Sequence, residues 1–256
     1  MLKEDVILKF FQKNDKLAMA FSGGSDSCCL SYIVKKKVNN IHLVFVATPL
    51  HSHSHIAIAK EKASILDLPL KIIRIEELSN NVKNNSKLRC YYCKKLLFAE
   101  IKNYFPDRTI IDGTNYSDTK EYRPGLKALE EMEIFSPFKD SLTVKEDIID
   151  YLGENGLNRF IAPPSTCNAT RIRYGIPLTK NILKLVEKTE KYLFEQGITF
   201  SRFRIKDKNS YTIETTPEFK NKIDATLLKN IKKKMAFNEN ITIEITNYRF
   251  GRFDNE

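Results

Sequence analysis

Leu17-Ala-Met-Ala-Phe21-Ser22-Gly-Gly-Ser-Asp-Ser27-Cys-Cys-Leu-Ser-Tyr-Ile33 is the stretch whose reading decides the fold. An apolar run from Leu17 to Phe21 enters a glycine and serine loop, Ser22 to Ser27, which leads directly into an apolar helix start at Cys28 to Ile33. Strand, tight loop and helix in immediate succession form half of a parallel α/β unit. Gly23 and Gly24 lack Cβ atoms, so their backbone can approach a polyphosphate closely, while the amides and dipole of the following helix favour negative charge. Ser22, Ser25 and Ser27 add hydroxyl donors. Two glycines alone would read as an ordinary capped turn, but the flanking strand and helix favour a phosphate loop. The Gly-Lys-Ser ending of a Walker motif and the three-glycine spacing of a dinucleotide fold are both missing, so those folds match poorly.

Working outward, apolar runs rich in β-branched residues recur at Ile41 to Ala47, Leu70 to Ile75 and Thr109 to Ile111. Helix-like stretches at Asp26 to Lys37, His55 to Leu66 and Tyr91 to Phe105 separate them, each long enough for the crossover that parallel strands require. A further helix is expected over Thr143 to Leu152. After Pro163 and Pro164 the rhythm changes. A loop runs to Pro177, then a helix near Asn181 to Gln196, strands at Phe200 to Ile205 and Tyr211 to Thr215, a Lys-rich helix from Pro217 to Met235 and a last strand at Ile241 to Thr246. The sequence therefore predicts an α/β fold, with a parallel sheet flanked by helices over residues 1–165. A smaller C-terminal α+β domain over 166–256 would serve substrate binding or oligomerisation.

Composition sets the class. Apolar residues at 42% and charged residues at 29% of 256 are ordinary for a soluble globular protein and argue against wholesale disorder or a fibrous repeat. No stretch approaches the roughly 18 to 20 apolar residues that span a bilayer, and Met1-Leu-Lys-Glu-Asp5 has no signal-peptide pattern. The expected compartment is the cytoplasm, with no membrane partner. The net charge of +10 is spread along nearly every expected helix, with local runs at Lys35 to Lys37 and Lys232 to Lys234. Nucleic acid is thus a secondary expectation beside a general solubility role. Five cysteines, an odd number, argue against a disulfide framework and leave metal binding or catalysis as the informative readings.

The Ser22 to Ser27 loop resembles the SGGxDS signature of PP-loop ATP pyrophosphatases, enzymes that split ATP into AMP and pyrophosphate. The resemblance implies that Ser22, Gly23, Gly24, Ser25, Asp26 and Ser27 grip the ATP phosphates. Asp26 would help organise Mg²⁺, a role its carboxylate suits because Mg²⁺ takes few carboxylates beside phosphate oxygens.

Arg89-Cys-Tyr-Tyr-Cys93-Lys94-Lys95 opens an expected helix and puts Cys90 and Cys93 one turn apart on one face. Cys167 lies in Pro163-Pro-Ser-Thr-Cys-Asn-Ala-Thr-Arg-Ile-Arg-Tyr-Gly175. Together with Asp112-Gly-Thr-Asn-Tyr-Ser-Asp118, Glu121-Tyr-Arg-Pro-Gly125, Arg202-Phe-Arg204 and the ending Tyr248-Arg-Phe-Gly-Arg252, these segments resemble the LarE family over nearly the whole chain. That family comprises ATP-dependent sulfur transferases of the lactate-racemase nickel-pincer cofactor pathway. The resemblance implies that a nicotinate-derived dicarboxylate mononucleotide, a small phosphorylated substrate, is adenylated at a carboxylate, that sulfur attacks, and that a thiocarboxylate forms. Adenylation replaces a poor leaving group by AMP, whose charge the ATP-binding cations stabilise.

By position, Lys94 would contact phosphates and Arg171 the nucleotide. Arg202 and Arg204, alternating on one strand, would present paired guanidinium groups to the substrate phosphate. Glu190 and Glu214 fall where the family places acidic metal or substrate contacts, while a glutamate among lysines is also commonly a solvated ion-pair partner. Thr170 stands where the family usually has Ser, and Asn168 replaces an apolar residue, so details around Cys167 differ.

Sulfur has two routes. In some family members a single cysteine at the position of Cys167 gives up its own sulfur and becomes dehydroalanine. Here Cys90 and Cys93 accompany Cys167, and three thiolates are what a [4Fe–4S] cluster needs if its fourth iron is to stay open. The resemblance to three-cysteine members implies sulfide or another outside sulfur donor and repeated turnover. A zinc site, a redox pair of Cys90 and Cys93, or buried thiols are the other readings. Structural zinc wants four ligands, and the His51-Ser-His-Ser-His55 segment reads better as a solvated loop. No thioredoxin-like pattern surrounds the CxxC. Cys28 and Cys29 read as small hydrophobes. The rival functions are a tRNA-thiolation enzyme with a three-cysteine cluster and a nucleotide-binding sulfide or iron–sulfur carrier that adenylates nothing. An NAD-synthase-like amidotransferase would have no use for the three cysteines. A homo-oligomer built by the C-terminal part is expected.

Overall fold

The computed structural model describes residues 2–11, 16–120, 122–163, 166–237 and 240–248. Glu121, Pro164 and the 249–252 ending invoked above lie outside the described residues. Four strands, β1 (Lys16–Ala20), β2 (Asn40–Ala47), β3 (Leu70–Arg74) and β4 (Thr109–Ile111), form a sheet in the order β3-β2-β1-β4 with every neighbouring pair parallel. Their side chains alternate between two cores, as the period of a strand requires. Leu17, Met19, Leu43, Phe45 and Ile111 meet the helices Ser25–Val34, His53–Leu66 and Lys145–Glu154 through residues such as Leu30, Ala63 and Ile148. Ala18, Val44, Val46 and Ile110 meet the Arg89–Tyr104 helix through Phe98 and Ile101. Helices on both faces bury the strands, which is why the runs read as continuously apolar. Deleting a side chain such as Leu17, fully buried between layers, would cost about 2–5 kcal/mol.

The chain lays β2 and β3 on one side of β1 and then places β4 on the other. Strand order therefore reverses between β1 and β4, and such a switch point opens a crevice at the carboxyl ends of the strands. The loops after β1 and β4 border it. One expectation is corrected nearby. The histidine segment is not a solvated loop: His53 begins a helix, and Ser52 with His55 forms its capping box, Ser52 N donating to His55 Nδ1 at 3.1 Å.

By contact the chain divides into two units, Met1–Ser79 with Cys90–Ser165, and Asn80–Arg89 with Thr166–Glu256. In the second, the Lys180–Glu195 helix is capped by Thr179, whose Oγ1 accepts from Ile182 N at 3.3 Å, and it buries Leu183, Val186 and Leu193 at helical spacing. A sheet of β5 (Ser201–Ile205), β6 (Ser210–Thr215) and β7 (Thr242–Asn247) runs antiparallel, then parallel. Phe203, Tyr211 and Phe237 stack with centroids 5.4 and 4.9 Å apart. The long Lys-rich helix expected from Pro217 to Met235 is instead two helices, Pro217–Lys220 and Ala225–Lys234, because Asp224 restarts the helix by accepting from Leu227 N at 2.7 Å. Among the described residues no helix is long and apolar enough to cross a membrane.

Candidate functional site

The glycine loop is held open from below. Gly23 has φ +76°, and a Cβ there would come within 3.1 Å of Ala59 Cα, so both backbone conformation and crowding demand glycine. Ser27 Oγ donates to Gly24 O at 3.0 Å and lies 3.3 Å from Ser22 Oγ, while Ser25 Oγ accepts from Ala162 N at 3.1 Å. Ser25 and Ser27 thus brace the loop, and Ser22 is exposed at its rim. Cys28 N makes the first helical bond, to Gly24 O. The amides of 25–27 have no intrahelical acceptor, as at any helix start, and can serve an anion. From the β4 side, Gly113 packs so close that a Cβ would sit 3.1 Å from Ser27 N.

Three cations around this loop are each held by an aspartate. Lys145 Nζ donates to Asp26 Oδ1 at 2.6 Å, Lys94 Nζ lies 3.5 Å from Asp112 Oδ2, and Arg123 pairs with Asp118 at 2.9 Å. Asp112, at the end of β4, is fixed by Thr114 Oγ1 and Ser136 Oγ, both donating at 2.6 Å. Gly125 makes room for the Lys94 stem, since a Cβ there would touch Lys94 Cδ at 3.0 Å. Burial pushes Asp118 above the usual carboxylate range, with the charge of Asp26 adding and Arg123 opposing. Lys95 turns to Glu131 and Tyr91 instead. Sequence reading singled out Lys94 and Asp26 but missed Lys145 and gave Asp112 no role. Lys145 stands at a helix start in a lysine-rich chain and carries no local pattern that marks it.

The second unit carries Cys167, Arg171, Glu190, Arg202, Arg204 and Glu214. Arg171, only 3% exposed, donates through Nε to Glu190 Oε1 at 2.9 Å and through Nη1 to Thr166 O at 3.1 Å and Thr170 Oγ1 at 2.8 Å. Glu190 also accepts from Phe203 N at 2.9 Å. Arg204 Nε bonds the fully buried Glu214 at 2.5 Å, and its Nη1 donates to Thr170 O at 2.7 Å. The solvated reading of the glutamates therefore fails: both are engaged by arginines, and these arginines grip the backbone around Cys167. Arg202 and Arg204 share one face of β5, and register pairs Arg202 with Glu214 on β6. Burial and the nearby Arg171 charge depress the Arg202 pKa.

Cys90 and Cys93, half-buried, stand near the start of the Arg89–Tyr104 helix and belong to the first unit, and Cys167, also half-buried, lies in the second. Their thiolates suit an iron–sulfur cluster by type and number. Among the described residues, no group of three or more His, Cys, Asp or Glu is gathered to hold a metal ion. Cys28 and Cys29 are fully buried, and burial pushes the Cys28 thiol up to about 12 and Cys29 higher still. They are packing residues.

No family model matches the chain. An uncharacterized protein of Methanocaldococcus jannaschii is 36% identical over 217 residues, which is 83% of this chain and 82% of that protein. The pyridinium-3,5-bisthiocarboxylic acid mononucleotide synthase of Lactiplantibacillus plantarum is 24% identical over 266 residues, 98% of this chain and 94% of that one. The chain belongs to the LarE family. A shorter similarity, 30% over 90 residues and 33% of this chain, relates it to the tRNA-5-methyluridine(54) 2-sulfurtransferase of Pyrococcus horikoshii. The LarE relationship therefore takes in both units, whereas the tRNA enzyme is similar over a third of the chain.

Proposed function

We propose that this chain is an ATP-dependent sulfur transferase that adenylates a carboxylate of a pyridinium dicarboxylate mononucleotide and converts it to a thiocarboxylate. The observation that carries this reading is the phosphate loop at the switch point, with Lys145 and Lys94 each held beside an aspartate, in a chain of the LarE family. The substrate carboxylate attacks the α-phosphorus of ATP, pyrophosphate leaves, and an acyl adenylate forms. The loop amides and Ser22 orient the phosphates. Asp26 would hold Mg²⁺ beside phosphate oxygens, the ion supplying charge neutralisation when bound. Asp26 and Lys145 are 29% and 39% exposed, so their ion pair is worth about 1 kcal/mol or less and is readily exchanged for a polyphosphate. Lys145 is then released toward the departing pyrophosphate, and Lys94 stays aligned by Asp112.

In the second half-reaction hydrosulfide attacks the acyl carbon, AMP leaves, and the thiocarboxylate remains. Arg202 and Arg204 would recognise the substrate phosphate, with Glu190 and Glu214 orienting the arginines and Arg171 contacting the nucleotide. Cys90, Cys93 and Cys167 would hold a [4Fe–4S] cluster, which when bound offers an iron open to hydrosulfide.

The test is made on anaerobic protein: iron and sulfide are counted, then MgATP, sulfide and a pyridinium dicarboxylate mononucleotide are added. Pyrophosphate and thiocarboxylate in equal amounts, with unchanged chain mass, are expected. Loss of one H₂S from the chain would instead make Cys167 the sulfur source. No pyrophosphate with this substrate refutes the adenylation, and thiolated tRNA with salt-dependent tRNA affinity would transfer the activity to the rival substrate.

A further inference from the structure

Residues Asn80–Arg89 belong to the second unit although Cys90–Ser165 of the first separates them from the rest of it. Asn85 is fully buried and has φ +52°, a left-handed conformation that asparagine tolerates better than most residues. Its Nδ2 donates to Arg173 O and Ile176 O, both at 2.9 Å, and reaches Ile172 O at 3.4 Å. Its own carbonyl accepts from Gly175 N at 3.0 Å, and Lys83 O accepts from Leu178 N at 2.8 Å. Arg89 completes the bridge. Its Nη1 donates to Asn85 Oδ1 at 2.5 Å and to Ala169 O at 3.2 Å, and its guanidinium lies 5.0 Å from the Tyr174 ring centroid.

Ala169 is two residues past Cys167, and the carbonyls held by Asn85 follow within the same loop. Arg171 and Arg204 grip this loop at Thr166 and Thr170. Asn85 and Arg89 supply the hold on its carboxyl-terminal side, where, among the described residues, the chain has no regular ladder beyond the single bridge of Ile172 to Ile205. A buried amide and a buried guanidinium spent on loop carbonyls fix a backbone that would otherwise be free to sample several conformations.

We infer that Asn85 and Arg89 are positioning residues for the sulfur step, a clamp that fixes the loop bearing Cys167. The inference rests on the proposal that Cys167 takes part in sulfur delivery. When the clamp is loosened, adenylation continues but the acyl adenylate meets water more often than sulfur, because a reacting group displaced by about 1 Å loses roughly a hundredfold in rate.

The experiment compares the full chain with Asn85→Gly, which keeps the left-handed backbone and removes the amide, and with Arg89→Lys. Hydrogen exchange over 166–178 should accelerate roughly tenfold in Asn85→Gly, while exchange over β1 and β2 stays as in the parent. Thiocarboxylate formed per pyrophosphate released should fall roughly tenfold, with pyrophosphate release within about twofold of the parent. Should exchange over β1 and β2 show that Asn85→Gly does not fold, Arg89→Lys decides between the outcomes by the same two readouts. Unchanged exchange over 166–178 overturns the clamp, and faster exchange with an unchanged product ratio overturns its role in the sulfur step. A parent chain that releases pyrophosphate and makes no thiocarboxylate refutes the sulfur reading, and the exchange data then still decide the clamp.

Discussion

Glu214→Ala removes the carboxylate from a guanidinium that is 6% exposed, itself bonded at 2.5 Å to a side chain with no exposure at all. Arginine cannot shed its charge, so the variant leaves a buried cation short of its counterion. Breaking a buried pair from one side costs about 3–5 kcal/mol. At about 2–4 °C per kcal/mol for a chain of this size, the unfolding midpoint should drop by roughly 6–20 °C. The assay is thermal unfolding by far-UV circular dichroism at neutral pH, with urea titration as a second measure. The double variant Arg204→Met with Glu214→Leu removes both charges, and it should recover most of the lost stability because an apolar pair of similar volume is often neutral or better. It should not recover thiolation if Arg204 binds the substrate phosphate. A Glu214→Ala loss below about 1 kcal/mol, or a double variant no more stable than the single one, would refute the assignment of this pair as the buried anchor of the Cys167 loop.

Gly23→Ala must adopt φ +76° and place its Cβ 3.1 Å from Ala59 Cα, so it should lose at least about 1–2 kcal/mol in urea titration and release pyrophosphate poorly; wild-type stability would contradict this. Lys145→Met should lower kcat/KM for MgATP roughly a hundredfold at near-normal stability, since its ion pair is partly exposed; parent-like kinetics would remove Lys145 from the site. Burial, with the His55 charge adding, holds His51 down at about 4, and its Nδ1 accepts from Thr48 N at 3.2 Å. The fold therefore favours the neutral ring. Its stabilising effect is complete above the unfolded value of about 6.5 and is lost as pH falls toward about 4. Midpoints measured from pH 7 to 4 should fall less steeply in His51→Asn, and parallel curves would argue against it. Cys28, whose thiol burial pushes up to about 12, should resist iodoacetamide in the native protein, with Cys29 alike; prompt labelling would show that the helix start is open.

The β1 loop and its helix were legible because three signals coincide there: an apolar run of strand length, glycines at the turn and an apolar helix start directly after. The strand order was not, since apolar runs say that strands are buried but not which is central; only the pairing of β1 with both β2 and β4 locates the crevice. Cys167, Arg171, Arg202 and Arg204 were visible as residue types in a family pattern. Their buried partners were less so. A glutamate reads alike on a wet helix and under an arginine, and Glu214 declares itself only once β5 and β6 are in register. Lys145 and Asn85 act across long sequence separations, 119 residues to Asp26 and 88 to Arg173, which no local window spans. The Asn84-Asn85 pair was the one available hint, as asparagine doublets favour left-handed turns.

The second unit has a consequence in time as well as in space. Asn85 is made long before Ile172, Arg173 and Ile176, so on a growing chain its amide and left-handed backbone have only water for company. Closing that contact encloses β4 and the Arg89–Tyr104 and Lys145–Glu154 helices packed on its sheet, a long loop whose entropy must be lost late. The sheet of the first unit can be finished on the ribosome, while the second must wait for its own earliest segment to be met by its last. A gene fragment beginning at Thr166 would accordingly encode an incomplete body, and one that joins Asn80–Arg89 to Thr166 through a short linker would restore the missing piece.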